Sequence, residues 1–358
     1  MTYAVVTGGG TGGHVYPGLS LARELVARGH PASSIAFVGA RRGLEAKVVP
    51  QAGFEIDLLP GRGLERRMTV RNVRTFWDTA VAYRRALALL RRLGPRVVVG
   101  FGGYASFPCL LAATRLRIPR IVHDQDAAPG LANRIAVRLG ARAAVSLPGT
   151  PMRNAVLTGN PVRTELTRAV RSPSDPPLVA CFGGSLGAAS INAAALALYD
   201  LWRSRTDVAV HHVAGPRNEE ACRGALDQMR RPDDSLRYEL VAYEDHMDAL
   251  LTRASISVCR AGAGTVAELA AAGMPSVLVP LPGAPSDHQT RNAETLAAAG
   301  AAVVVPDAEL DGPRLADLLD ELLADRGRLA SMSDAARRLA HVDAAARLAD
   351  LVEELARG

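Results

Sequence analysis

Two stretches of this chain set polar side chains beside glycine-rich turns, where they could move a proton or hold an anion. Gly8-Gly9-Gly10-Thr11-Gly12-Gly13 follows the apolar run Tyr3–Thr7 and fits the spacing GxGxxG. Glycines in such a turn let backbone N–H groups and a helix N-terminus approach a pyrophosphate or a developing anion. A tight turn that merely needs small residues reads the same way. His14 comes next, at the start of the helix, where the positive end of the helix field favours a neutral imidazole. Over a ligand crevice that imidazole could act as a base, although the position also suits a capping or packing histidine. In the second half, Arg260-Ala261-Gly262-Ala263-Gly264-Thr265-Val266-Ala267-Glu268 follows another apolar run and again brings small residues and a hydroxyl to a helix start. A carboxylate one turn in, Glu268, could accept both hydroxyls of a ribose diol, or simply complement the helix dipole. Asp287-His288-Gln289-Thr290-Arg291-Asn292 opens a further helix with amide and hydroxyl partners for a sugar.

The elements that must position these residues are legible as βα repetition. Tyr3–Thr7, Ile35–Gly39, Glu55–Leu59, Val97–Phe101, Arg120–His123 and Arg142–Ser146 read as strands alternating with helices. A second series runs Leu178–Phe182, Val208–Val213, Tyr238–Val241, Ser255–Val258, Ser276–Val279 and Ala302–Val305, and helices near 313–324, 327–340 and 343–356 close the chain. Alternation of this kind predicts parallel, mostly buried sheets. A length of 358 residues suits two domains, and the proline-bearing stretch near 160–177 reads as the linker. Each half opens with a strand, a glycine-rich turn and a helix, the second as Val179-Ala180-Cys181-Phe182-Gly183-Gly184-Ser185-Leu186-Gly187. Ligands of open α/β sheets bind beyond the carboxyl ends of the strands, so two such domains would face each other across a cleft, as a two-substrate enzyme requires.

Composition narrows the chemistry. Hydrophobic residues at 48% and charged residues at 22% describe an ordinary globular chain. Cys109, Cys181, Cys222 and Cys259 are too scattered for a disulfide framework or a CxxC metal site, which fits a reducing cytosol. Met1 to Ala22 is uncharged but lacks a basic leader and is rich in glycine, so export is not expected; glycine pairs likewise break the uncharged stretches Val97–Thr114 and Pro176–Tyr199, so no membrane span is expected. The dinucleotide fingerprint wants an acid at the end of the second strand, where this chain has Gly39-Ala40-Arg41-Arg42. That disfavours NAD and leaves NADP open through the arginines. The net charge of +6 hides an asymmetry, +14 over residues 1–158 and −8 over 159–358. Aromatic residues, at 4%, are not interleaved with the arginines as single-strand stacking requires, so the basic half points to an anionic membrane surface rather than nucleic acid.

Taken together, Gly9-Gly10-Thr11-Gly12-Gly13-His14-Val15-Tyr16-Pro17, Gly102-Gly103-Tyr104, His123-Asp124-Gln125-Asp126 with Pro129-Gly130-Leu131, Gly159-Asn160-Pro161-Val162-Arg163, Gly183-Gly184-Ser185 and Arg260 to Glu268 with His288-Gln289 closely resemble the MurG family. These bacterial transferases move N-acetylglucosamine (GlcNAc) from UDP-GlcNAc to lipid I, undecaprenyl-pyrophosphoryl-N-acetylmuramyl-pentapeptide, to make lipid II for peptidoglycan. The motifs occur in family order from about Val5 to Ala340. The resemblance implies the GT-B fold, an α/β architecture of two Rossmann-like parallel-sheet domains: residues 1–160 for acceptor and membrane, 161–340 for UDP-GlcNAc, and 341–358 as a C-terminal helix expected to pack back on the first domain. It implies His14 as the base. It also implies donor contacts from Thr11, Gly12, Gly13, Asp126, Arg163, Ser185, Ala263, Gly264, Thr265, Val266, Ala267, Glu268 and Gln289, and acceptor contacts from Gly102, Gly103 and Tyr104. No cofactor and no metal are expected. Asp124-Gln125-Asp126 spells the DxD of metal-dependent glycosyltransferases, but that motif belongs to a different fold.

Three positions depart from the family pattern. Asp126 stands where asparagine is usual, Leu186 replaces a glutamine, and Glu244 replaces an apolar residue near the expected uracil. They leave open a relative acting on another lipid-linked acceptor, alongside a UDP-GlcNAc 2-epimerase-type enzyme of the same fold and a dinucleotide-binding module. Val70, Val73, Phe76, Trp77, Ala80, Val81 and Leu87 recur at helical spacing beside Arg66, Arg67, Arg71, Arg74, Arg84, Arg85, Arg91 and Arg92. This pattern suits an interfacial helix on anionic lipid, or equally a core stripe with a solvated basic face. With a lipid-linked acceptor the expected location is peripheral, on the cytoplasmic face of the cell membrane.

Overall fold

In the computed structural model the chain forms two α/β units, Met1–Arg163 with His341–Gly358 and Thr164–Ala340. The structure describes residues 2–41, 43–60, 70–168, 170–184 and 187–357, and of residues 70–77 the backbone only. Among them the first unit runs β1 Ala4–Thr7, α1 Gly12–Ala27, β2 Ile35–Ala40, α2 Glu45–Gln51, β3 Glu55–Leu59, α3 Val70–Leu93, β4 Val97–Gly100, α4 Ser106–Leu116, β5 Arg120–Asp124, α5 Leu131–Arg138, β6 Arg142–Val145 and β7 Val156–Leu157. The second runs α6 Thr164–Arg168, β8 Leu178–Phe182, α7 Ala189–Trp202, β9 Ala209–Val213, α8 Glu219–Met229, β10 Arg237–Val241, α9 Met247–Arg253, β11 Ile256–Cys259, α10 Ala263–Ala272, β12 Ser276–Leu278, α11 His288–Ala298, β13 Ala302–Val304, α12 Gly312–Ala324 and α13 Arg326–Leu339. Helix α14, Ala344–Arg357, returns to the first unit.

Both sheets are parallel, in the orders β3-β2-β1-β4-β5-β6-β7 and β10-β9-β8-β11-β12-β13. The central strands β1, β4, β8 and β11 are buried along their whole length, which is why they read as continuous apolar runs, whereas the edge strand β10 alternates exposed and buried residues. In β1, Val6 packs with Leu21, Leu25, Leu348 and Val352 on one side, and neighbouring Val5 packs with Ala86, Leu90, Cys109 and Leu110 on the other. In β8, Val179 and Cys181 face Ile191, Leu198 and Leu319, whereas Ala180 and Phe182 face Leu250, Val266 and Leu296. A fully buried leucine such as Leu25 or Leu198 contributes about 2 kcal/mol.

Chain order reverses between β1 and β4, and again between β8 and β11. The registers bring each pair level at its carboxyl end, Thr7 beside Gly100 and Phe182 beside Cys259. These switch points hold the turns that the sequence marks as chemical.

The stretch read as a linker is built in. Leu166 is fully buried in the second unit, and the Arg171 guanidinium donates to the carbonyls of Gly273 and Ala254, each at 2.8 Å. The division falls after Arg163 rather than 160, because Ser20 Oγ donates to Val162 O at 2.9 Å and the Arg163 guanidinium lies 4.6 Å over the Tyr16 ring. Helix α14 packs on α1, where Arg28 donates to Asp350 (2.6 Å), Glu353 (3.3 Å) and Ala346 O (2.9 Å).

In α3, Ala82, Ala86 and Leu90 face the core while Val81, Arg84, Arg85, Arg91 and Arg92 are exposed. Leu87, expected on an interfacial stripe, packs against the core instead. Arg66 and Arg67 lie outside the described residues, as do the side chains of Val70, Arg71, Val73, Arg74, Phe76 and Trp77. Among the described residues no helix is long and apolar enough to cross a membrane.

Candidate active site

The turn between β1 and α1 builds the first half of the site. Thr11 caps α1, but its hydroxyl makes no bond to the capping amides. It sits instead 3.2 Å from His14 Nδ1, which is also 3.1 Å from Gly9 O. A carbonyl only accepts, so Nδ1 carries the proton, the tautomer that in a neutral ring puts the lone pair on Nε2. Nε2 lies against the neighbouring turn, where a methyl on Gly102 would come 3.2 Å from it. Gly103 touches the first turn still more closely. Its φ of +78° is left-handed and a Cβ there would fall 2.2 Å from Gly9 O, so both conformation and space require glycine. Tyr104 then turns its ring toward Asp78 and Thr79 of α3; burial raises its hydroxyl pKa, with Thr79 opposing and Asp78 adding. The expected acceptor residues Gly102, Gly103 and Tyr104 thus join Thr11, Gly12, Gly13 and His14 at one switch point.

The strand-end run His123-Asp124-Gln125-Asp126 is structural in detail. His123 is fully buried, donates from Nε2 to Gly159 O at 2.9 Å and accepts at Nδ1 from the Gln125 amide at 3.1 Å. Burial drives its pKa down to about 4, only partly offset by the bond to Gly159, so the ring is neutral. Asp124 accepts from the N–H groups of Asp126 (3.2 Å) and Gly130 (3.1 Å) and from the Asn133 amide (2.8 Å). A carboxylate engaged three times closes a turn, which accounts for the DxD spelling. Asp126 is half-buried and joins this turn through its backbone. Among the described residues no group of three or more His, Cys, Asp or Glu could hold a metal ion.

In the second unit, α10 starts at Ala263 after Gly262 with no side-chain cap. The amides of Ala263, Gly264 and Thr265 occupy its first turn, where N–H groups have no acceptor within the helix. Within the expected contact set, the Val266 side chain is buried beside Phe182 and Cys259, and its N–H is given to Gly262 O at 2.9 Å. Ala267 and Glu268 lie on the half-buried face that follows. Gln289 reaches back from α11 to accept from Leu281 N–H at 3.0 Å, beyond a turn in which Ser286 and Asp287 both hold φ of 52°. Asn292 donates to Ala261 O at 3.1 Å, tying α11 to the α10 turn. Ser185 and Leu186 lie outside the described residues. Glu244 is satisfied within the fold, with one oxygen accepting from His246 N–H (2.8 Å) and the other 3.1 Å from His211 Nε2.

Three residues that sequence reasoning passed over hold these turns. Ser190 and Asp307 clamp the Arg260 guanidinium, which also donates to the carbonyls of Val279 (3.1 Å) and Pro280 (3.2 Å). Burial alone would raise the Asp307 pKa, but Ser190 and Arg260 hold it below the usual value. Glu45 is 1% exposed and accepts from Ala40 N–H (2.8 Å) and Gly10 N–H (2.9 Å). Its one sequence trace is a carboxylate at a helix start flanked by glycines. Asp307 had none, since 47 residues separate it from Arg260.

Comparison with known proteins agrees with this geometry. The glycosyltransferase family 28 N-terminal domain matches residues 4–145, and the family 28 C-terminal domain matches 178–349. The UDP-N-acetylglucosamine–N-acetylmuramyl-(pentapeptide) pyrophosphoryl-undecaprenol N-acetylglucosamine transferase of Alkalilimnicola ehrlichii is 42% identical over 99% of each chain. Its namesake from Acidothermus cellulolyticus is 39% identical over 99% of this chain and 98% of its own. The crystal structure of MurG from Acinetobacter baumannii matches with a TM-score of 0.77 at 28% identity, covering 99% of this chain and 100% of that one. This chain therefore has the GT-B architecture and is a glycosyltransferase of family 28, a member of the MurG family of N-acetylglucosamine transferases.

Proposed function

We propose that the protein transfers GlcNAc from UDP-GlcNAc to the C4 hydroxyl of the N-acetylmuramyl sugar of lipid I, with inversion at the anomeric carbon, making lipid II. The observation that carries this reading is the His14 ring, oriented by Gly9 O so that Nε2 presents a lone pair at the β1/β4 switch point. In the reaction Nε2 takes the C4 hydroxyl proton, the oxygen attacks the anomeric carbon, and the bond to UDP breaks with its electron pair leaving on the diphosphate. The first-turn amides of α1 and α10, with Arg163 and Ser185, stabilise the departing charge. Glu268 accepts the ribose diol and Gln289 the GlcNAc hydroxyls.

The exposed Arg84, Arg85, Arg91 and Arg92 give α3 a basic face for an anionic membrane surface, at about 1 kcal/mol per arginine, and the protein works peripherally on the cytoplasmic side. The net charge of the basic half serves that surface rather than nucleic acid. Incubation with radiolabelled UDP-GlcNAc and a lipid I analogue tests the reading. A labelled lipid-linked disaccharide is expected. Release of UDP-N-acetylmannosamine without acceptor, or no transfer at all, would overturn it.

A further inference from the structure

The carboxylate beneath the first glycine turn is the most heavily accommodated side chain of this unit. A Cβ on Gly9 would fall 1.9 Å from Glu45 Oε1, on Gly43 2.0 Å from Oε2, and on Gly39 2.4 Å from Cγ. Three positions on three segments are kept bare for one acid. Burying a carboxylate is costly, and turn closure alone could be had from a neutral amide. The hydrogen bonds show what the charge reaches. Gly10 N–H, which donates to Glu45 Oε2 at 2.9 Å, and Gly9 C=O, which accepts from His14 Nδ1–H at 3.1 Å, are the two ends of a single planar peptide group.

We infer that Glu45 is the positioning residue for His14, acting through the Gly9–Gly10 peptide group as the acid of a relayed carboxylate–histidine pair. The inference rests on the reading of His14 as the base. A carboxylate on the N–H end polarises the peptide and makes its carbonyl a stronger acceptor, since hydrogen bonds in a chain strengthen one another. That holds the proton on Nδ1, keeps the lone pair on Nε2, and stabilises the imidazolium once Nε2 has taken the acceptor's proton, the role of the acid in a Ser-His-Asp triad. The Thr11 hydroxyl also lies 3.2 Å from Nδ1, Tyr104 belongs to the facing turn, and Arg163 lies 4.6 Å over the ring of Tyr16, two residues along α1.

The test follows the ¹⁵N resonances of the His14 ring through a pH titration of the full-length protein, alongside steady-state kinetics, for the wild type, Glu45→Gln and Gly43→Ala. The glutamine keeps the shape and an acceptor oxygen; the added methyl displaces the carboxylate without removing it. In both variants the His14 titration midpoint should fall by about one pH unit and the Nδ1–H form should lose population. Turnover should drop roughly tenfold or more with the KM for UDP-GlcNAc nearly unchanged, and Glu45→Asp should recover part of it. In a His14→Ala background Glu45→Gln should cost nothing further. An unaltered His14 titration in folded Glu45→Gln would overturn the inference, as would an equal loss with and without His14. A shifted titration beside a fully active His14→Ala enzyme would instead remove His14 as base and leave the coupling standing.

Discussion

The two units share a topology and a switch point, yet they brace their glycine turns differently. In the first, the turn after β1 rests on a buried carboxylate and carries an imidazole, with Glu45 and His14 joined through one peptide group. In the second, the turn after β8 is braced by neutral groups. A Cβ on Gly187 would strike Ala214 O at 2.1 Å, and that carbonyl is held by the amides of Asn192 (2.9 Å) and Asn218 (3.2 Å). Arg260 and Asp307 of the second unit form an ion pair beside these turns. On the proposed reading, one fold used twice yields a half that handles a proton and a half that presents amides to an anion. The difference comes from side chains outside the glycine motifs, which is why the motifs look alike in sequence.

The sharpest way to break this comparison is to add one methyl to each half. Gly103→Ala places a Cβ 2.2 Å from Gly9 O at a φ of +78°, displacing the turn that carries His14, and turnover should fall roughly 10²-fold. Gly184 has a similar φ of +79° but nothing within 4 Å, so Gly184→Ala adds backbone strain alone and should act mainly on the KM for UDP-GlcNAc. Kinetics of the two variants at saturating acceptor would separate them. Equal loss of kcat in both would erase the distinction.

Each unit also buries a histidine whose pKa is driven down, so acid should weaken both. Burial lowers His123 and His212 to about 4, the latter helped by neighbouring His211. Below its ordinary pKa of about 6.5 the unfolded chain takes up protons that the folded chain refuses. Stability is therefore full above that value and falls as pH drops through the window toward 4, by up to about 3 kcal/mol per histidine. Urea unfolding at pH 7.0, 5.5 and 4.5 checks this, and a flat midpoint would contradict it. The smallest effect should come from Asp126→Asn. The Asp126 N–H is given to Asp124, and asparagine keeps that backbone bond, so activity should stay within about twofold of the parent; a collapse would mean that the carboxylate itself meets a substrate.

Much of the fold was legible because parallel strands buried on both faces leave continuous apolar runs, as Leu178–Phe182 does; the edge strand Glu55–Leu59 was read to the residue from its Ile and Leu alternating with acids. The strand Val156–Leu157 was not, since two residues carry no period. Helix starts and glycine turns advertise themselves through residue type, which made His14 and the α10 turn visible. Glu45 left only a faint trace because its partners are backbone amides, which look the same in every sequence. Val266 shows how a motif and a core can share one helix: it lies inside the expected binding motif, and its helical spacing with Leu269 and Ala270 sends its side chain to the core.

The division of labour is tested most directly by steady-state kinetics of His14→Ala and Glu268→Ala, measured with UDP-GlcNAc and a lipid I analogue. His14→Ala should lower kcat by roughly 10²-fold or more and leave the KM for UDP-GlcNAc close to the parent value, whereas Glu268→Ala should raise that KM more than it lowers kcat. The reverse pattern, or wild-type turnover in folded His14→Ala, would contradict the assignment of proton chemistry to the first unit and donor binding to the second.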